Sequence, residues 1–79
     1  MIVDDETFNL STLSYQLNAI YNSVNVFTAI HGLFAVESFR LNNQNNRCKK
    51  CLFFKLIILD LNMPVMDGGE ACKQIIEEI

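Results

Sequence analysis

Basic charge is scarce: six Lys and Arg stand against nine Asp and Glu, for a net charge of −3 over 79 residues. That balance offers no positive field for a phosphate backbone and argues against nucleic-acid binding by this segment. Tryptophan is absent and proline occurs once. Cysteine occurs three times, an odd number and too few for a disulfide scaffold. Long apolar runs are also missing. Leu56-Ile57-Ile58-Leu59 is closed by Asp60, whereas a membrane span needs about 20 apolar residues. The opening Met1-Ile2-Val3-Asp4-Asp5-Glu6 is acidic where a secretory leader is basic. What the chain does have is 51% hydrophobic and 19% charged residues, a balance that excludes a disordered tail and fits one small, acidic, intracellular domain with a marginal core.

Periodicity divides the chain into alternating elements. Ile2-Val3 reads as a very short strand. Leu10, Leu13, Leu17 and Ile20 recur at helical spacing and predict a helix over Thr7 to Ile20, with the acids Asp4, Asp5 and Glu6 placed at its electropositive start. Val24, Val26, Thr28 and Ile30 alternate with other residues and predict a strand. His31-Gly32 reads as a turn with a solvated histidine. A helix from about Gly32 to Leu41 follows, and the polar Asn42-Asn43-Gln44-Asn45-Asn46 stretch predicts a loop. Arg47, Lys49 and Lys50 make that loop basic, and Cys48 and Cys51 within it read as ordinary thiols rather than half a zinc site. Leu52 to Leu59 is a strand apolar enough for burial on both faces of a parallel sheet. After the Met63-Pro64 and Asp67-Gly68-Gly69 turns, Glu70 to Ile79 predicts a last helix with Ala71, Ile75, Ile76 and Ile79 inward. Phe27, Phe34, Phe39, Phe53 and Phe54 read as core.

Strand, helix, strand, helix, strand, helix is the pattern of an α/β fold with a parallel sheet and right-handed crossovers. Ligands of such sheets bind beyond the carboxyl ends of the strands. Here those ends hold Asp4 and Asp5 after the first strand and Asp60 after the third. Three converging carboxylates repel one another, a repulsion that a hard divalent cation removes. A carboxylate in that setting is also a nucleophile toward phosphorus.

Val3-Asp4-Asp5-Glu6 together with Leu56-Ile57-Ile58-Leu59-Asp60-Leu61-Asn62-Met63-Pro64-Val65-Met66-Asp67-Gly68 resembles the receiver domain of two-component response regulators and hybrid histidine kinases. Ala29-Ile30-His31-Gly32-Leu33-Phe34-Ala35 resembles the same family's junction between second strand and second helix. The resemblance implies a flavodoxin-like, doubly wound parallel sheet of which residues 1–79 form a partial receiver domain, the first three βα units. The fourth and fifth strands would be missing, with the Ser or Thr and the Lys that end them in the family. It further implies that Asp60 accepts a phosphoryl group from a phosphohistidine, its partner being a histidine kinase or a histidine phosphotransfer protein. Mg²⁺ would be held by Asp4, Asp5, Asp60 and the backbone carbonyl of Asn62. Pro64 would shape the loop behind the site, Asp67-Gly68 its exit into the last helix, and Glu6 would complete the acidic cluster. The implied setting is a non-enzymatic receiver module in the cytoplasm, or in the cytosolic part of a membrane-bound hybrid kinase, with no membrane contact of its own. The Asn-rich insert suits a eukaryotic hybrid kinase.

Rival readings are weaker. A calcium loop starting at Asp60 would place Val65 where glycine is needed and Ala71 where a bidentate glutamate is needed. A haloacid-dehalogenase-like phosphatase fragment would need a second Asp where Asn62 stands. A non-catalytic receiver remnant acting as an interaction module is the main alternative. In it, the open apolar edge of the third strand would promote self-association.

Overall fold

The computed structural model describes residues 1–48, 50–63 and 65–79. The readings of Lys49 as part of a basic loop and of Pro64 as the shaper of the site loop therefore lie outside the described residues. In chain order the elements are β1 (Ile2–Val3), α1 (Thr7–Ile20), β2 (Thr28–Ala29), α2 (Gly32–Gln44), β3 (Ile58–Leu59) and α3 (Gly68–Glu77). The strands form one parallel sheet in the order β2-β1-β3, so the expected partial flavodoxin-like α/β arrangement is present. Ile2 pairs with Thr28 and Ile58, and Val3 with Ala29 and Leu59.

The strands are shorter than their apolar runs predict. A ladder reaches only as far as its partner, and the central partner here is the two-residue β1. Ile2 N–H donates to Phe27 O at 2.8 Å, Ile58 N–H to Met1 O at 3.0 Å, and the Met1 amine to Leu56 O at 2.8 Å. Desolvation by burial lowers that amine's pKa from its ordinary value. Residues 24–27 and 52–57 thus lead into the sheet without belonging to its strands, with bends at Phe53 and Lys55. Neither does β3 become buried on both faces. It is an edge strand, half-buried along its length.

Successive strand residues face opposite sides. Val3, with Met1, faces the main core, where Ala29, Ala35, Val36, Phe39, Phe54, Met63, Ala71 and Ile75 meet between the sheet and the paired helices α2 and α3. Ile2, also buried, faces the other side, where α1 packs on β1. Phe39 stacks on Phe54 at 6.2 Å, and Phe27, Phe53 and Phe54 meet edge to face at 4.9–5.4 Å. Of the five phenylalanines expected in the core, Phe39 and Phe54 are buried, while Phe27, Phe34 and Phe53 keep one face in solvent. On α1 only Leu10 is buried and Ile20 is exposed; on α3 Ala71 and Ile75 are buried while Ile76 is exposed, and Ile79, expected within the helix, lies exposed past its end at Glu77. Each helix meets a single neighbouring layer, so its buried stripe is narrower than its apolar stripe.

Helix α2 runs three residues past the expected end. Asn42 Nδ2 donates to Ser38 O at 2.8 Å, and Asn45 N–H donates to Leu41 O at 3.2 Å, so the amide side chains satisfy the helix instead of competing with it. Asn43 Oδ1 then accepts from Phe53 N–H at 3.4 Å, tying the helix end to the chain entering β3. Cys48 and Cys51 are joined in a disulfide, correcting the reading of both as free thiols. Their Cα atoms lie 5.6 Å apart, inside the range that a disulfide spans. Among the described residues the one ion pair is Arg40–Glu78 at 2.7 Å, which joins α2 to the end of α3. Being partly exposed, it is worth about 0–1 kcal/mol. No described helix is long and apolar enough to cross a membrane.

Candidate functional site

The sheet register places the acids. Asp4 N–H donates to Ala29 O at 3.1 Å and Asp60 N–H to Val3 O at 2.9 Å. Each aspartate therefore has its backbone held by the neighbouring strand one residue beyond the last paired position. The result is that Asp4, Asp5 and Asp60 each offer a carboxylate oxygen within 4.8 Å of the others. Asp4 and Asp60 are half-buried and Asp5 is exposed.

Hydrogen bonds orient two of the three. Asp4 Oδ1 accepts from Glu6 N–H at 2.9 Å, and Oδ2 accepts from Asn9 Nδ2 at 3.2 Å. Asp60 Oδ1 accepts from Asn62 N–H at 3.2 Å, so the loop after β3 folds back on the carboxylate. Among the described residues no Lys or Arg pairs with any of the three. Glu6 is the residue preceding α1 and makes no side-chain cap; Asp4 meets that helix start instead. A set of hard carboxylate oxygens without a protein cation suits a hard divalent ion with oxygen preference, of which Mg²⁺ is the type.

Close backbone approach fixes the loop behind Asp60. Gly68 N–H donates to Leu61 O at 3.2 Å. A Cβ at Gly68 would collide with the carbonyl oxygen of Asp60 and lie 2.9 Å from its carbonyl carbon. Gly68 is therefore a close contact with Asp60, a part that sequence reading missed by taking Asp67-Gly68 as a turn leading into a helix from Glu70, whereas α3 starts at Gly68 with Asp67 as its cap. Asp67 does perform that role: its Oδ1 accepts from Glu70 N–H at 2.8 Å. Gly32, opening α2, approaches the Met66 carbonyl oxygen just as closely. His31, read as a solvated turn residue, instead caps α2. Its Nδ1 accepts from Phe34 N–H at 3.2 Å and its ring stacks on Phe34 at 4.4 Å. The signal was available, since a side-chain acceptor directly before a helix is a cap candidate.

Val65 lies in the same loop with φ at 69°. A β-branched side chain disfavours this left-handed region, at a cost of about 1–2 kcal/mol. It is 85% exposed, so no packing is lost with its side chain. Val65→Gly is expected to raise stability by about 0.5–1 kcal/mol, part of the relief being offset by the freer unfolded chain. Urea denaturation of the two proteins checks this, and an unchanged or lower midpoint contradicts it.

Comparison with known proteins agrees with this geometry. The response regulator receiver domain family matches residues 1–79. The chain is 33% identical over 75 residues, 95% of its own length, to the peroxide stress-activated histidine kinase mak1 of Schizosaccharomyces pombe. It spans 4% of the length of that relative. No solved structure matches it.

Proposed function

The chain belongs to the response regulator receiver domain family of two-component signalling, and from that membership we propose that it is a phosphoacceptor in a phosphorelay. Asp60 is the acceptor, and the donor is a phosphohistidine on a histidine kinase or histidine phosphotransfer protein. One observation carries this reading: carboxylates from the ends of two adjacent parallel strands converge within 4.8 Å, with no Lys or Arg paired to them among the described residues.

In the transfer, an oxygen lone pair of Asp60 forms a bond to phosphorus as the phosphorus–nitrogen bond of the donor breaks. The electron pair of that bond stays on the imidazole nitrogen, and the product is an acyl phosphate on Asp60. Positioning is the protein's main contribution, since phosphoryl transfer asks for little covalent chemistry beyond alignment and charge stabilisation. The Asn62 N–H and the Gly68 contact hold Asp60 in place. Asp4, Asp5 and Asp60, with the Asn62 carbonyl, would hold Mg²⁺. When bound, the ion offsets negative charge on the phosphoryl oxygens. The kinase activity named for the yeast relative belongs to that protein; this segment corresponds to a receiver, working as a module of a longer signalling chain. The phosphatase alternative has no second Asp, because Asn62 stands at that position.

Incubation with acetyl phosphate and Mg²⁺, followed by intact mass, tests the assignment. The chain is expected to gain the mass of one phosphoryl group, Asp60→Asn to gain none, and Asp67→Asn to retain the gain. Equal phosphorylation of Asp60→Asn would overturn the assignment of the acceptor. Omitting Mg²⁺ is expected to remove the gain as well.

A further inference from the structure

We propose that Cys48 and Cys51 are a reversible dithiol–disulfide couple that exchanges with small anionic thiols of the glutathione class. The proposal is independent of phosphoryl transfer, and the pair lies in the loop between α2 and β3 rather than among the acids. Both cysteines are exposed and are joined across a sequence separation of three. A ring that small restrains little of the unfolded chain, so structural reinforcement is a weak reason for the bond. Exposure gives an attacking thiol access, and exposed disulfides are the readily exchanged ones.

The turn is built to present the pair. Asn46 Nδ2 donates to Cys48 O at 3.0 Å and to Cys51 O at 2.9 Å, bridging the two residues with one side-chain amide. Such a bridge keeps the two cysteines close in the reduced chain and favours ring closure. Arg47 and Lys50, both exposed, flank the pair. Positive charge there favours the thiolate over the thiol and attracts an anionic thiol. A metal is not the better occupant. Among the described residues the one cluster with enough ligands for an ion is Asp4, Asp5 and Asp60, and neither cysteine joins it.

The exchange balances as a two-electron step. The thiolate of a small thiol attacks one sulfur, forming a mixed disulfide and releasing the other cysteine as thiolate, which takes a proton. A second small thiolate attacks the small-molecule sulfur of the mixed disulfide and forms the oxidised dimer. The second cysteine is released and protonated. Two small thiols are oxidised and the protein disulfide is reduced to two thiols.

The test is thiol trapping in glutathione buffers spanning fully oxidised to fully reduced. Cys72, exposed and free on α3, is removed as Cys72→Ser so that only the pair reports. N-ethylmaleimide labelling read by intact mass is expected to pass from no adducts to two in a single step within that range. In Asn46→Ala the step is expected at a lower thiol-to-disulfide ratio. The proposal is overturned if two adducts form at every ratio, or if none forms in the fully reduced buffer. A midpoint unchanged in Asn46→Ala overturns the part assigned to the amide bridge.

Discussion

Phe39→Ala is expected to be strongly destabilising, with a loss of about 3–5 kcal/mol. Phe39 is 1% exposed, stacks on Phe54, and belongs to the one cluster that joins the sheet to α2 and α3. Removing a buried phenylalanine costs about 3–5 kcal/mol through lost transfer energy and the cavity left behind. A chain of this length has about 4–12 kcal/mol in total. The loss therefore takes between a quarter and all of the stability, and the melting temperature should fall by more than about 12 °C. Thermal unfolding followed by circular dichroism measures this. Phe34, about half exposed, is the comparison: Phe34→Ala should cost well under half as much. Equal losses at the two positions would contradict the placement of the core.

Gly68→Ala is expected to damage stability and phosphorylation together. The added methyl group meets the carbonyl oxygen and carbon of Asp60 and the Cα of Leu61, all backbone atoms that no rotamer change can clear. Relief requires α3 or Asp60 to move, at a cost of about 1–3 kcal/mol. Because the obstructed carbonyl belongs to Asp60, the acceptor proposed above, the rate of acetyl phosphate labelling should fall at least about tenfold, as misplacement by an ångström can cost about 100-fold. Gly69→Ala is the contrasting variant. Its methyl would lie 3.3 Å from Asp67 Oδ1, a side-chain atom, and alanine favours the helix by up to about 1 kcal/mol. Its stability should hold or rise, and its labelling should match the parent. Opposite behaviour of the two neighbours would show that close approach to Asp60 is not what requires glycine at position 68.

The site was more legible than the core. Asp4 and Asp60 were readable because each directly follows the last residue of a strand, Val3 or Leu59, with Asp5 next in the chain, and parallel strands put such positions at one end of the sheet. The extent of the strands was not readable. Leu52 to Leu59 carries a full strand's pattern, yet only Ile58–Leu59 is paired, because pairing depends on β1 and not on β3's own residues. The end of α2 escaped for a similar reason. Asparagine is a poor helix interior residue in isolation, but Asn42 bonds back to Ser38 one turn earlier in the helix, and Asn43 finds Phe53, a partner that only the fold supplies. Ile20 and Ile76 belong to the right helical faces but lie beyond the layer that those faces cover, and Ile79 lies past the end of α3.

By itself, then, the sequence determined the order of elements, the parallel α/β class and the identity of the acidic residues. These follow from local periodicity and from which residue comes next along a strand. Only the tertiary structure decided how far each strand pairs, which phenylalanines are buried, and that Cys48 and Cys51 meet in a disulfide. It also decided that Gly68 bears directly on Asp60 and that His31 caps α2. Each of these depends on the distance between groups that no spacing along one segment encodes. The scarcity of basic residues takes its meaning from the same source. No Lys or Arg is paired to the carboxylates at the ends of β1 and β3 among the described residues, so none of those residues offsets their charge.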